Sequence, residues 1–141
     1  MFEEGVKIIA RLQAQASTLK TVEWSSEVTA LDDVGPLCPA AFVQPAVRRP
    51  DSRVPYEASA STHQEFLVIV CVQRGDLPLE GVARPFMDEV RRALNGWRIP
   101  EAGHIRPVRW LADEQPEYPL PGYGEFPLRF AYPVIVGGAA S

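Results

Sequence analysis

A small number of side chains in this sequence could take part in acid–base chemistry, and His63 with Glu65 is the pair with the clearest geometry. Two residues apart on a strand, they share a face, so the carboxylate could orient the imidazole. Catalysis by this pair would need a deep apolar pocket around a buried His63. The sequence favours the alternative, in which both side chains lie at a strand entrance and point to solvent.

The other reactive side chains form no recognisable catalytic or metal-binding motif. The two histidines and two cysteines are too widely spaced to provide the short ligand pair of a zinc site; they are His63, His104, Cys38 and Cys71. Cys71 lies in an apolar run and is interpreted as a small buried hydrophobe, whereas Cys38 is expected to be more exposed. No nucleophile elbow occurs, and residues 122–124 lack the third glycine of a dinucleotide motif. The sequence therefore predicts no catalytic residue, no cofactor and no metal, and hence no enzyme.

A local excess of positive charge marks residues 46–61 as a candidate interaction site. The segment contains Arg48, Arg49, Arg53 and the aromatic Tyr56. Arginine and tyrosine are favoured at protein interfaces, and one stacking aromatic is too few for a nucleic-acid patch. We predict that these four residues contact an acidic protein surface. A merely solvated loop is the alternative.

The composition is that of an ordinary globular protein. The chain has 141 residues, of which 46% are hydrophobic and 23% charged, which predicts one domain over residues 1–141. Its net charge of −4 argues against a surface built to bind nucleic acid. The longest apolar run, residues 66–72, is far too short for a membrane span, and the start of the chain is acidic where a secretory signal is basic. We expect a soluble, intracellular protein.

The elements that must position these residues follow from hydrophobic periodicity. Apolar residues at three- and four-residue steps predict an amphipathic helix over residues 2–19. Val22 and Trp24 predict a short strand. The polar residues 26–34 are interpreted as a short helix.

The middle of the chain predicts two strands around a loop. Residues 39–43 are apolar and Pro45 is expected to end that strand. Residues 46–61 show no apolar period, which predicts a long polar loop. The continuous apolar run at 66–72 predicts a central strand covered on both faces.

A second amphipathic helix is predicted between residues 81 and 97. Since proline is tolerated in the first turn, Pro85 places the helix start between Val82 and Pro85. Asn95 and Gly96 supply a left-handed stop.

The C-terminal part predicts two closing strands. Residues 105–113 are interpreted as a mixed strand, and the proline- and glycine-rich residues 115–123 as an irregular connection. Residues 125–136 alternate cleanly between apolar and other residues. Pro127 and Pro133 have the same parity, so both remove N–H groups from one edge and spare the other, which predicts an edge strand or a strand bent at a bulge.

Together these elements predict an α+β fold. The expected architecture is a mostly antiparallel, twisted sheet of about four to five strands, with two main helices on one face and a long protruding loop at residues 46–61.

The order of elements resembles that of the tail terminator (tail completion) proteins of long-tailed bacteriophages. The resemblance spans nearly the whole chain. An amphipathic helix is followed by the apolar residues 39–43 (PAAFV), a long polar loop, the apolar strand at 66–72, a helix that ends in residues 94–97 (LNGW), and a final alternating strand.

The resemblance implies a structural virion assembly protein that forms a hexameric ring on the end of the tail tube. Such a ring stops tube polymerisation and offers a surface for head–tail joining. The implied partners are further copies of the chain, the tail tube protein and a connector or neck protein, with DNA only passing through the lumen and no membrane. The implied location is the neck end of the virion tail, and the host cytoplasm during assembly. Two alternatives remain: another neck or connector ring protein, and a small α+β ligand-binding domain or enzyme that uses His63, Glu65 and the arginines.

Overall fold

The computed structural model of the chain describes residues 4–25, 35–50, 61–73, 78–100 and 107–135. Within these ranges, two helices and a six-stranded sheet confirm the predicted α+β class, with one or two strands more than predicted. Neither helix is long and apolar enough to cross a membrane. The elements are α1 (Gly5–Gln15), β1 (Thr21–Trp24), β2 (Ala40–Pro50), β3 (Ser61–Gln73), α2 (Leu79–Leu94), β4 (Arg109–Asp113), β5 (Glu117–Leu120) and β6 (Tyr123–Ile135).

The strand β3 lies at the centre of the sheet, as its apolar run predicted. The strand order is β1-β2-β3-β6-β4, and β5 also pairs with β6. The pair β1–β2 is parallel and the other pairs are antiparallel. Val70 of β3 aligns with Ala41 of β2 on one side and with Phe126 of β6 on the other.

Both helices pack on the same face of the sheet. Successive side chains of a strand point to opposite faces, so the even-numbered residues of β3 and β6 meet the helices together. They form one core with Ile8 and Leu12 of α1 and Val90 and Leu94 of α2. The sheet contributes Phe66, Val68, Val70, Val72, Phe126, Leu128, Phe130 and Tyr132 to this core.

The opposite, helix-free face carries a smaller apolar cluster. Its buried residues are Ala40, Phe42, Cys71 and Tyr123. Ile69, on the same face of β3, is only half-buried. The second face of the central strand is therefore covered only in part.

Two strands extend into the segment that was predicted as a loop. β2 does not end at Pro45 but continues to Pro50, and β3 begins at Ser61. The register of β2 against β3 shifts just after Pro45, which lets the strand pass the proline. The prediction was wrong for residues 46–50 and 61, while residues 51–60 lie outside the described part of the chain.

The helix α2 begins at Leu79, earlier than predicted, so Pro85 lies inside it and not in its first turn. Pro85 is exposed, which places the missing N–H on the side of the helix away from the core. The predicted end is confirmed, because Gly96 has φ +88°, the left-handed conformation that stops a helix.

The strand β6 has partners on both sides, so the prediction of an edge strand was wrong. The Pro127 carbonyl accepts a hydrogen bond from the Glu114 N–H at 2.9 Å, which shows that the backbone groups of Pro127 face away from β3. On that side, β4 ends at Asp113 and β5 begins at Glu117. Pro127 therefore lies opposite the break between two strands, where its missing N–H interrupts no pairing.

The remaining predictions concern the segment that contains β5 and residues that lie outside the described part of the chain. The connection predicted as irregular at 115–123 contains β5. The predicted helix at 26–34 lies outside the described residues, as do residues 105, 106 and 136 at the ends of two predicted strands.

Replacement of Val70 by Asp is expected to prevent folding. Val70 is 0% exposed, and an unpaired buried carboxylate costs about 5 kcal/mol or more, comparable with the whole stability of a domain. Far-UV circular dichroism and thermal denaturation measure the effect. The matched control is Val6→Asp, because Val6 is 65% exposed, and its melting temperature should lie within about 3 °C of the wild type. A cooperative melt of Val70→Asp near the wild-type temperature would contradict the central position of β3.

Candidate functional site

The sheet narrows at one end into a three-stranded arm. Beyond Val43, the last residue of β2 aligned with β1, and beyond Ala131, the last residue of β6 aligned with β4, three strands continue together. We define the arm as residues 46–50 of β2, 61–64 of β3 and 132–135 of β6. The arm places the start of the predicted interaction site on a strand.

Two of the four predicted contact residues lie on the arm. Arg48 aligns with Gln64, and Arg49 aligns with His63. Arg53 and Tyr56 lie outside the described residues. The contact role of all four residues stays a prediction.

The outer strands of the arm carry prolines. Pro50 lies in β2 and Pro133 in β6, and Pro45 immediately precedes the arm. Proline in an outer strand discourages the addition of a further strand, because it provides no N–H. A partner is therefore expected to meet the arm through side chains.

His63 and Glu65 lie on the helix-free face at the base of the arm, and the expectation that they point to solvent was wrong. Their side chains are 17% and 8% exposed, and His63 Nε2 lies 3.1 Å from Glu65 Oε2. Arg129 of β6 donates from Nη1 to Glu65 Oε1 at 2.8 Å and from Nη2 to Glu114 Oε1 at 3.1 Å. We call these four residues the charged network.

The charged network connects β3, β6 and the segment that follows β4. Both carboxylate oxygens of Glu65 are engaged, one by Arg129 and one by His63. The carboxylates of Glu114 and Glu65 raise the pKa of Arg129, so the guanidinium stays charged. These contacts hold β3, β6 and the segment after β4 together, which is a structural role. Sequence reasoning found the histidine–carboxylate pair but missed Arg129, because the register that brings β6 beside β3 has no local signal.

Cys38 and Cys71 lie near a second group of polar residues on the same face. Burial raises the pKa of Cys38 to about 11 and that of Cys71 to about 12, and the Glu125 carboxylate acts in the same direction. The Tyr123 hydroxyl donates to Glu125 Oε2 at 2.8 Å. Both thiols are protonated at neutral pH and are poor nucleophiles. Cys71 is buried, as expected of a small hydrophobe.

Metal binding has no candidate among the residues described. In those ranges, no three side chains of His, Cys, Asp or Glu converge in a way that could hold a metal ion.

An apolar groove lies at the β1 edge of the sheet, between α1 and β1. β1 is the first strand in the sheet order and has β2 as its partner. Val6 is 65% exposed beside it, and Gln13 Nε2 donates to the Val22 carbonyl at 3.3 Å. We call this the edge groove; its volume is about 410 Å³ and it is lined by Val6, Ile9, Ala10, Gln13, Val22, Glu23 and Trp24. Sequence reasoning missed it, because its apolar residues fit the pattern of a buried helix face.

The β4 edge of the sheet makes contacts with α2 and with the residues that follow α2. The Trp110 N–H donates to Asn95 Oδ1 at 2.9 Å, and the Val108 N–H donates to the Trp97 carbonyl at 2.8 Å. The Arg91 guanidinium lies 5.6 Å from the Trp110 ring centroid.

The sequence matches the model of the phage tail terminator protein family over residues 4–139. The match covers almost the entire chain, and the protein therefore belongs to the phage tail terminator family, a structural family of bacteriophage virion proteins. The resemblance seen in the order of elements is confirmed.

One solved structure with a similar fold is a chain of a structure described as "Virion of native gene transfer agent (GTA) particle". The two chains share 16% sequence identity with a TM-score of 0.62, and the similarity covers 92% of each chain. At this identity the likeness shows a shared fold. A comparison with curated proteins found no match.

Replacement of Arg129 by Met is expected to destabilise the fold by roughly 2–4 kcal/mol, because it leaves the Glu65 carboxylate buried without its strongest partner. The double variant Glu65→Leu with Arg129→Met should recover most of this loss, since no uncompensated charge remains. Urea denaturation of both variants measures the difference. Equal destabilisation in the single and double variants would show that packing, and not charge pairing, is what Arg129 contributes.

Proposed function

We propose that this protein caps the phage tail tube. It forms a ring on the last ring of tube subunits, stops their polymerisation and provides the surface for head–tail joining. The observation that carries the proposal is the family match over residues 4–139. The fold shared with a chain of a gene transfer agent virion supports a place in a phage-like particle.

The chemistry of the described residues supports an assembly role. The Glu65 carboxylate is engaged by Arg129 and His63, and both thiols are protonated at neutral pH because burial raises their pKa values. We therefore infer that the protein acts by making contacts and not by catalysis.

The arm and its basic residues are proposed as a contact surface. Arg48, Arg49, Arg53 and Tyr56 would meet an acidic surface of a partner, since arginine and tyrosine are the residue types that dominate binding energy at interfaces. The proposed partners are further copies of the chain in a hexamer, the tail tube protein and a connector or neck protein. Assembly takes place in the host cytoplasm, and the finished ring lies at the neck end of the tail.

The net charge of the chain suits passage of DNA through the proposed ring. Each copy carries −4, so a ring whose lumen is lined by acidic residues would repel the DNA that passes through it.

Purified protein mixed with polymerising tail tube subunits is expected to shorten the tubes, because a capped end adds no further subunits. Tube lengths in negative-stain electron micrographs measure the effect at increasing protein ratios. The non-folding variant Val70→Asp is the control and should leave the lengths unchanged. Unchanged lengths with folded protein would contradict the proposal, and binding at the neck without an effect on tube length would favour another neck or connector ring protein.

Replacement of Arg48, Arg49 and Arg53 by alanine is expected to leave the melting temperature nearly unchanged, because surface charges contribute little to stability. The same variant should cap tubes at a visibly higher protein ratio than the wild type. Arg84→Ala is the matched control, since the Arg84 side chain on α2 is 69% exposed. A large drop in melting temperature with normal capping would show that the three arginines support the fold instead.

A further inference from the structure

The two outer edges of the sheet carry complementary side chains, and we propose that the β4 edge of one copy docks on the edge groove at β1 of the next copy. Trp110 of one copy enters the edge groove, and Arg109 lies opposite Glu23 of the neighbour. The contact joins the subunits of the ring and rests on the function proposed above.

Exposed apolar side chains occur at both ends of the sheet. Among the described residues, three large apolar side chains are exposed, and they are Val6, Trp110 and Tyr118. Val6 lines the edge groove, whereas Trp110 lies on β4 and Tyr118 on β5, the strands on the far side of β6. Contact between the two ends would remove apolar surface from water on both partners.

Trp110 and the edge groove lie in the same layer of the molecule. Residues aligned across neighbouring strands point to the same face of a sheet, and Trp110 aligns with Phe130 of the main core. The Trp110 ring therefore lies on the helix side, where the Arg91 guanidinium is 5.6 Å from its centroid. The edge groove, between α1 and β1, lies on that side too. When the sheets of two copies follow one another edge to edge, the ring of one copy meets the groove of the next.

The helix-free face pairs opposite charges in the same arrangement. Glu23 is exposed and aligns with Phe42 of the helix-free cluster. Arg109 is half-buried and aligns with Ala131, which aligns in turn with Glu65 of the charged network. Glu23 on the first strand and Arg109 on the last strand of the sheet order therefore point to the same face. Opposite charges on two surfaces favour their encounter and fix how they align.

The same charges disfavour contact between like edges. Two β1 edges would bring Glu23 close to a second Glu23, and two β4 edges would bring Arg109 close to a second Arg109, so like charges would repel. Contact between unlike edges is head-to-tail. Each copy offers its β4 edge to one neighbour and its edge groove to another, and repetition closes a ring when the rotation between copies permits.

A backbone group at each edge already has a side-chain partner, which favours docking through side chains. At the β1 edge the Val22 carbonyl accepts a hydrogen bond from Gln13 Nε2 at 3.3 Å. At the β4 edge the Trp110 N–H donates to Asn95 Oδ1 at 2.9 Å. Addition of strand to strand would have to displace these amides, whereas insertion of an aromatic ring into the groove does not require it.

A mixture of two charge variants tests the contact. Glu23→Arg alone and Arg109→Glu alone are each expected to weaken self-association roughly tenfold, because each places like charges opposite one another in every contact. An equimolar mixture of the two should regain most of the wild-type association, since every groove can then meet a β4 edge of opposite charge in an alternating ring. Sedimentation velocity of the free protein and cross-linking on tail tubes measure association. Arg84→Glu, on the exposed side of α2, is the control that should change nothing.

Val6→Asp tests the apolar part of the contact. Because Val6 is exposed in the single chain, its replacement should leave the melting temperature near that of the wild type. Association should weaken, because docking would remove the new carboxylate from water. Gln15→Asp, at an exposed position of α1 outside the groove lining, is the matched control and should associate like the wild type.

The outcomes separate this contact from the proposed function. The contact is overturned if the single charge variants or Val6→Asp associate like the wild type, if the mixture is as weak as its components, or if the wild type associates neither free nor on tubes. Shortened tubes in any of these cases leave the capping role standing. If the mixture restores association while tubes stay uncapped, the contact stands and the capping role fails.

Discussion

The pairing of β3 along both of its edges is the interaction on which the rest of the molecule depends. Every residue of β3 aligns with a residue of β6, and nine residues of β3 also align with a residue of β2. Its even-numbered apolar side chains, from Phe66 to Val72, form the floor on which both helices pack. The helices, the outer strands and the arm are all positioned relative to this one strand. A change that removes β3 from the core therefore removes every surface of functional interest at once.

The sequence of β3 divides it into two parts with different tasks. Residues 66–72 are apolar, and the even-numbered ones lie in the core, whereas residues 61–65 are polar and run into the arm. The charged network sits at this boundary, where Arg129 ties Glu65 to Glu114 across neighbouring strands. Because the arm continues strands of the core, it is held in direction by the same hydrogen-bonded ladder. A contact surface on a continuous strand needs less ordering on binding than one on a free loop.

Much of this fold could be predicted from hydrophobic pattern, and the failures share a physical cause. The central strand, both helices and the stop at Gly96 have local signals, and the order of elements was sufficient for the family resemblance. The ends of β2 and β3 could not be predicted, because polar residues become strand when a partner strand fixes them. The partners of β6 were missed for a related reason. The backbone of Pro127 faces away from β3, but sequence does not reveal that two short strands share that edge on either side of it.

The candidate site was less predictable than the fold. The pairing of His63 with Glu65 follows from their spacing. Its structural role depends on Arg129, which is 64 positions from Glu65 in the sequence. The edge groove has no sequence signature, because the exposure of Val6 depends on how α1 packs relative to β1. Composition shows the local excess of positive charge at residues 46–61, and only the strand register shows that Arg48 and Arg49 lie on the arm.

The two protonated thiols have a consequence for how the protein reacts with oxidants. Oxidation and disulfide exchange proceed through the thiolate, and Cys38 and Cys71 hold their protons well above neutral pH. Both thiols therefore react only slowly with oxidants at neutral pH, and the folded protein is slow to form disulfides through them.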